Sequence, residues 1–378
     1  MSNSIPISSF APVRTDRQGP GVDAVLTTTV AADIPTDDVG ALREALRAAL
    51  GTTWQEHAPK TDVQWRPRWP VLAELGLPAF CVPEALDGFG LRVDVAASAA
   101  AELGAALHAS PFAGLTASAH LLAHCAGNPQ AEQVLAGVLA GERVCAFGYL
   151  GAGDQVARLV DGAPDADALV LLNRARGEFL LLEDPADWTA DSRRHGFDLT
   201  RGCADVTPAA GRGHLLRPSP EAARRAVDLY ELLLAADAVG GVRRMLDRTI
   251  TYAGQRRTFG KPIGGYQAVQ HRLAEHTVRA RGMALLVTEA ARLLSAEPTA
   301  ADAARQARRC VATASLSVSS GAPHLLHDLL QLTGAIGFTW EYGLHYYERR
   351  AHQDARLAAN PRHAQRSLAE VEGWTDGS

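Results

Sequence analysis

The stretch RRTFGKPIGGYQAVQHRLAE, residues 256–275, separates two long runs of helical periodicity, and its reading decides the fold. Upstream, apolar residues recur at helical spacing from Glu221 to Gln255, after the breaking prolines Pro218 and Pro220. Downstream, a second segment runs from Tyr266 to Ser295, a third from Ala300 to Gln331 and a shorter fourth from near Glu341 to Arg356. Segments of some thirty residues extend about 40 Å at ~1.5 Å per residue, the make-up of a four-helix bundle. Arg256 therefore falls at the end of a long helix, beside a Gly/Pro turn. A guanidinium there, with the Thr258 hydroxyl and freed backbone N–H groups, suits a diphosphate. An exposed arginine at a helix C-terminus is also favoured by the macrodipole alone.

Outward from this point the text changes twice. Between Gly141 and Arg217, short apolar runs (Val144 to Tyr149, Ala168 to Leu172, Glu178 to Glu183, Gly202 to Val206) alternate with Gly, Pro and Asp clusters, which are strand and turn signals. Before them lie helical pieces from Pro35, with Thr36 or Asp37 as cap and Gly51 as stop, and at Pro70 to Leu75, Val95 to Leu107, Leu115 to Cys125 and Gln130 to Leu139. The expected organisation is a flexible arm over 1–27, an N-terminal α-helical domain over 28–140, a shortened central β domain over 141–217 and a C-terminal four-helix bundle over 218–372. The class is α+β, mainly α, and a cleft where the β unit meets the bundle is the expected place for a site.

Composition narrows the function. At 378 residues, 47% hydrophobic and 21% charged, the chain is of ordinary globular make-up and long enough for two to three packed units. A net charge of -5 opposes nucleic-acid binding, which needs a concentrated excess of basic residues. Only Lys60 and Lys261 of the 37 basic residues are lysine. The five cysteines (Cys81, Cys125, Cys145, Cys203, Cys310) have no CxxC or metal-ligand spacing, which suits a reducing cytoplasm and implies no metal. Cys145, in an apolar run, reads as a small core hydrophobe. The N-terminal residues have no apolar signal core, and no stretch reaches the ~18 apolar residues of a membrane span, so neither export nor insertion is expected.

Residues 256–275 resemble the best-known stretch of the acyl-CoA dehydrogenase family, Arg-x-x-Phe-Gly-Lys-Pro-Ile followed by Phe/Tyr-Gln-x-Val-Gln and Leu-Ala. Two further segments agree in order. Val82-Pro83-Glu84 with Asp87-Gly88-Phe89-Gly90 resembles the family's N-terminal Pro-Glu-x-x-Gly-Gly-x-Gly, and Gln331-Leu332-Thr333-Gly334-Ala335-Ile336-Gly337-Phe338-Thr339 its C-terminal Gln-x-x-Gly-Gly-x-Gly-Phe-Thr. Ala335 stands where the second glycine is usual. The resemblance spans roughly residues 70 to 356 and implies the acyl-CoA dehydrogenase fold, with FAD as cofactor. It assigns cofactor contacts to Arg256, Thr258, Phe259, Ile263, Tyr266, Gln267, Gln270, Gln331, Gly334, Ala335 and Gly337, and it implies that the glycine loop around Gly334 and Gly337 touches FAD bound mainly by an adjacent subunit. Packing gives Tyr266 and Val269 to the bundle and the glutamines to solvent instead, and it places Phe259 and Ile263 in the core.

The reaction implied is α,β-dehydrogenation of an acyl thioester carried on CoA or an acyl carrier protein. A carboxylate takes the α-proton while the β-hydrogen leaves as hydride. In most members the base follows the glycine loop by about twenty residues, which here is Ala358. In a minority branch it lies on the long helix, at Tyr230, next to Glu231. Helical neighbours point about 100° apart, so Glu231 is not a simple substitute. Glu231 and Asp237 are the candidate bases, with Asp228 and Asp247 behind them, and Asp237 could instead pair with Arg243 or Arg244. The β segment carries only Leu150-Gly151-Ala152-Gly153-Asp154 where the family shows Thr-Glu-x-x-x-Gly-Ser-Asp, and it lacks Trp-Ile-Thr. EYGLHYYERRA, from Glu341 to Ala351, resembles a branch in which unlike paired subunits share cofactor and catalytic residues. His345 there reads as ligand, acid/base or packed ring. Alternative readings are a non-catalytic partner subunit, or a flavin oxygenase or thioester hydratase on the same fold, in a homo- or hetero-oligomer.

Overall fold

Two alanine- and glycine-rich helices meet at the centre of the molecule: α3 (Val93–Ala105) and α6 (Pro220–Gln255). A Cβ at Gly240 would lie 1.9 Å from the Ala101 carbonyl oxygen, and one at Gly104 would lie 2.1 Å from that of Asp237. Only glycine lets the two backbones approach this closely. Glu102 on α3 then binds Arg243 of α6 at 2.7 Å and Arg43 and Arg47 of α1 (Asp37–Leu50) at 3.1 and 2.9 Å. Burial alone would raise the Glu102 carboxyl, but the hydrogen bonds and charges of Arg47 and Arg243 bring it down to about 2.

The computed structural model describes residues 37–50, 65–125, 127–151, 155–192, 197–296, 301–358 and 361–374. The arm expected over 1–27, the cap at Thr36, the stop at Gly51 and Ala152 to Asp154 lie outside these residues. Before the sheet come α2 (Trp69–Glu74), α4 (Phe112–Ala123) and α5 (Pro129–Leu139). The strands are β1 (Cys145–Leu150), β2 (Ala157–Asp161), β3 (Ala168–Asn173), β4 (Glu178–Leu182), β5 (Trp188–Asp191), β6 (Cys203–Pro208) and β7 (His214–Leu216). They form one sheet in the order β5-β6-β2-β1-β3-β4-β7. The central β1–β3 pair is parallel, with Cys145 opposite Ala168, and both strands are nearly continuous apolar runs because both faces are covered. Burial pushes the Cys145 thiol up to about 12, in keeping with a core role.

Helices resume at α6, capped by the Ser219 hydroxyl, which accepts from the Ala222 N–H, with Pro220 in the first position. A two-stranded hairpin, β8 (Arg257–Thr258) and β9 (Lys261–Pro262), leads to α7 (Gln267–Ser295) and α8 (Ala301–Thr333). A five-residue 3₁₀ turn over Gly334–Phe338 joins α8 to α9 (Leu344–Leu357), and α10 (Pro361–Glu372) packs back along α8. The bundle thus carries a fifth helix beyond the four expected. Among the described residues no helix is long and apolar enough to cross a membrane.

The α3–α6 contact is directly testable. Gly240→Ala should cost about 1–3 kcal/mol in urea unfolding, since neither backbone can yield without moving a helix. Gly282→Ala, an exposed position on α7 with nothing within 4 Å of the new methyl, is the control and should be neutral or slightly stabilising. Equal unfolding midpoints for the two variants would contradict this packing.

Candidate functional site

A pocket of about 320 Å³ opens where the β3–β4 turn meets α6, α8 and α10. Its apolar wall includes Leu172, Phe179, Val227 and Val311, and its polar groups include Arg174, Asp228, Glu231 and His363. Glu231 is buried on α6 and points into this space, not along the core face that takes Tyr230. Its Oε1 lies 3.6 Å from Arg174 Nη2 and 3.3 Å from His363 Nε2, with no hydrogen-bond partner among the described residues. Tyr230 instead closes an aromatic cluster, 4.9 Å from Phe147 and 5.9 Å from Tyr149. The Arg174 guanidinium stands 3.8 Å from the centre of the Tyr149 ring.

Asp228, one turn before Glu231, is half-buried in the same pocket. Burial, then the Glu231 charge, push its carboxyl up to about 7, against the pull of Arg308 and Arg225. Asp228 and Glu231 therefore bring two carboxyls, three residues apart on one helix face, to a pocket that Glu370 of α10 also lines. The sequence reading ranked Asp228 low and missed Arg174 and His363 altogether.

Asp237 lies elsewhere. Both its carboxylate oxygens accept from Arg350, at 2.8 Å each, and Arg201 stands 3.0 Å away. Arg201 also pairs with Asp354, and Arg350 donates to the Thr200 hydroxyl at 3.1 Å and to the His108 carbonyl at 2.8 Å. Burial raises the Asp237 carboxyl, but the charges of Arg350 and Arg201 outweigh it and hold it below its ordinary value. A carboxylate committed to two guanidiniums is a poor proton acceptor, so the candidacy of Asp237 as base is corrected to a structural ion pair. Its partners are not Arg243 or Arg244, and Arg243 serves Glu102. His345 is packed between Trp340 and Tyr346, at 4.7 and 4.1 Å, and burial holds it below its ordinary value.

The second constellation sits at the far end of the bundle. Arg256 ends α6 and is exposed, with its N–H bonded to the Tyr252 carbonyl and its own carbonyl accepting from the Ile263 N–H at 2.8 Å. The hairpin turn is left-handed at Phe259 (φ 50°) and Gly260 (φ 85°). Phe259 is fully exposed, which corrects its expected place in the core: the turn carries its ring out into solvent. Ile263 is half-buried. The Tyr266 hydroxyl donates to the Thr258 carbonyl at 3.0 Å, and the Lys261 ammonium lies 4.1 Å over the Tyr266 ring. Gln267 is exposed and Gln270 half-buried at the start of α7.

The glycine loop joins this end. Arg272 of α7 binds Asp328 of α8 at 2.9 Å, one turn before the exposed Gln331, and the Tyr252 and Tyr342 rings meet at 5.9 Å. Gly334 has φ +66°, and a Cβ there would meet nothing within 4 Å, so the space beside it is open. Gly337 is buried, and a Cβ would strike the Thr333 hydroxyl at 2.2 Å. Ala335 is exposed. An exposed guanidinium, exposed amides and an open glycine bend fit the diphosphate half of a dinucleotide.

Comparison with known proteins bears on most of the chain. The family model for the acyl-CoA dehydrogenase N-terminal domain matches residues 36–142, and that for the C-terminal domain matches residues 221–359. Acyl-CoA dehydrogenase IpdE2 of Mycobacterium tuberculosis is 34% identical over 81% of this chain and 86% of its own length. The chain belongs to the acyl-CoA dehydrogenase family. Acyl-CoA dehydrogenase FadE34 of the same organism is 30% identical over 84% of the chain, which spans about half of that relative, 45% of its length. The solved ChsE4-ChsE5 complex from Mycobacterium tuberculosis has a TM-score of 0.74 at 22% identity and covers 91% of this chain and 100% of that one.

The two positions to which the resemblance assigns a base, 358 and 230, hold no carboxyl. Ala358 is a half-buried methyl packed on the core, and Tyr230 is buried. Near Tyr230, the carboxyls that reach a pocket among the described residues are its neighbour Glu231 and Asp228. The Asp228 carboxyl gives a pH test of this surrounding. Unfolded, it ionises near its ordinary 3.8. Between there and about 7 the native state keeps a proton that the unfolded state has lost, so stability falls as pH rises through that window. Asp228→Asn should therefore melt close to wild type at pH 4 and above it at pH 8. A wild-type advantage at pH 8 would contradict this.

Proposed function

We propose that the chain is a subunit of an FAD-dependent acyl-CoA dehydrogenase, with Glu231 as the carboxylate that removes the α-proton of an acyl thioester. The observation that carries this reading is the Glu231 Oε1 atom, buried without a hydrogen bond at the wall of a pocket large enough for a ligand's reactive end. The apolar wall keeps water from the acyl chain, and Oε1, in ion-pair contact with Arg174 and His363 but without a hydrogen bond, takes the proton. FAD, when bound, supplies the hydride acceptor. Arg256, Gln270, Gln331 and the Gly334 bend hold its diphosphate end, with Tyr266 and Lys261 stiffening the corner.

These two constellations cannot serve one cofactor within one chain. Twenty-five helical residues separate Glu231 from Arg256, about 37 Å at ~1.5 Å per residue, farther than a single FAD reaches. The cofactor gripped at the Arg256 corner of one chain therefore works at a pocket on another. This separation, with the empty base positions at Ala358 and Tyr230, also favours a second reading: the chain lends its corner to a site completed by an unlike mate, as the heteromeric ChsE4-ChsE5 neighbour suggests.

The purified protein should be yellow and should bleach under anaerobic acyl-CoA. Glu231→Gln should keep its flavin and slow bleaching by about 10²–10⁴-fold, and Arg256→Glu should lose flavin. Bleaching by Glu231→Gln at the wild-type rate would remove the base assignment. A colourless protein that gains flavin only when co-expressed with a homologous subunit would decide for the partner reading.

A further inference from the structure

Three side-chain atoms on the wall between the sheet and α6 are buried without a hydrogen bond among the described residues: Tyr149 Oη, Arg174 Nη2 and Glu231 Oε1. They belong to one cluster. Arg174 lies over the Tyr149 ring at 3.8 Å, and its Nη2 is 3.6 Å from Glu231 Oε1. Its other terminal nitrogen, Nη1, is 3.0 and 3.1 Å from the two ring nitrogens of His363. Buried polar atoms are nearly always bonded, and leaving one unbonded is costly. Here a donor and an acceptor face each other as an ion pair, with His363 Nε2 3.3 Å from the acceptor, yet neither atom makes a hydrogen bond among the described residues, and both residues line the same 320 Å³ pocket. A ligand that accepts a hydrogen bond and gives up a proton a few ångströms away would satisfy both.

An acyl thioester is such a ligand. We propose that Arg174 is a catalytic residue of this site, donating from Nη2 to the thioester carbonyl oxygen and stabilising the enolate as Glu231 takes the α-proton. This rests on the reading of the pocket as the thioester site. In the step, the Cα–H bond breaks and its proton passes to Glu231 Oε1. The bonding pair moves into a Cα=C bond, and the carbonyl π pair moves onto oxygen, where Arg174 meets it. The reverse step returns a proton to Cα, so the exchange needs no oxidant. The Tyr149 ring below and His363 at Nη1 fix the guanidinium at the pocket wall before charge develops, the condition under which such donors contribute most. Arg224, also on the pocket, is exposed and lacks this fixed setting.

The test is α-proton exchange in heavy water with butyryl-CoA as probe, on the protein as purified, read by mass spectrometry of the recovered thioester. Wild type should incorporate deuterium at Cα, and Glu231→Gln should not. Arg174→Gln should exchange about 10²–10³-fold more slowly while binding butyryl-CoA within a few-fold of wild type by calorimetry. Arg174→Lys keeps the charge and much of the packing, and it should fall between the two, which decides the matter if the Gln variant does not fold. Exchange at the wild-type rate in every folded Arg174 variant would overturn the role of Arg174 and leave Glu231 as base. Absence of exchange in wild type would overturn both.

Discussion

Everything functional in this molecule is positioned by the close approach of α3 and α6. Two glycines, Gly104 and Gly240, bring backbone against backbone, and that contact cannot slide without collision. Around it are two buried charge clusters. Glu102 gathers arginines from α1 and α6, and Asp237 gathers Arg350 from α9 and Arg201 from the segment before β6. Breaking such a pair by removing one partner typically costs about 3–5 kcal/mol, because the other charge is left buried. The sheet, α6 and α9 are thereby held in one register, which fixes where Glu231 opens and where Arg256 ends.

A single 36-residue helix carrying both sites has a consequence for assembly. Its early turns bring Asp228 and Glu231 to a pocket, and Arg256, which caps its last turn, begins a corner suited to a diphosphate. The distance between them is set by helical rise and cannot be shortened by loop motion. Phe259, wholly exposed at a left-handed position, and the exposed Phe338 and Trp340 near the glycine bend are apolar groups at the same end of the bundle. A bulky aromatic held at positive φ is unusual, and such strain tends to collect where a chain meets a ligand or a neighbour.

The long helices were legible because their apolar residues recur at helical period over thirty positions, and the fold class followed from the order of elements. Strands β2, β5 and β7 were not read, since Ala157–Asp161 and His214–Leu216 are short and alternate poorly, and their pairing depends on β6 and β4 far along the chain. The same limit applied to the charges. Asp237 is bound by Arg350, 113 residues away, and nothing near Asp237 in the sequence announces it. Glu231 could be named from its neighbour Tyr230, but its setting comes from the β3–β4 turn and from α10. Phe259 was expected inside because it is apolar, whereas the turn that expels it is a property of the Phe259-Gly260 backbone.

The claim on which the rest turns is that the corner and the pocket of one chain belong to different cofactors. A cryo-electron microscopy map of the assembly reconstituted with FAD tests it most directly. The diphosphate should lie against Arg256 and Gln331 of one protomer, with the flavin ring in a pocket of another chain. A map in which one FAD touches Arg256 and Glu231 of the same chain, or in which the corner is closed by protein in every protomer, would contradict it.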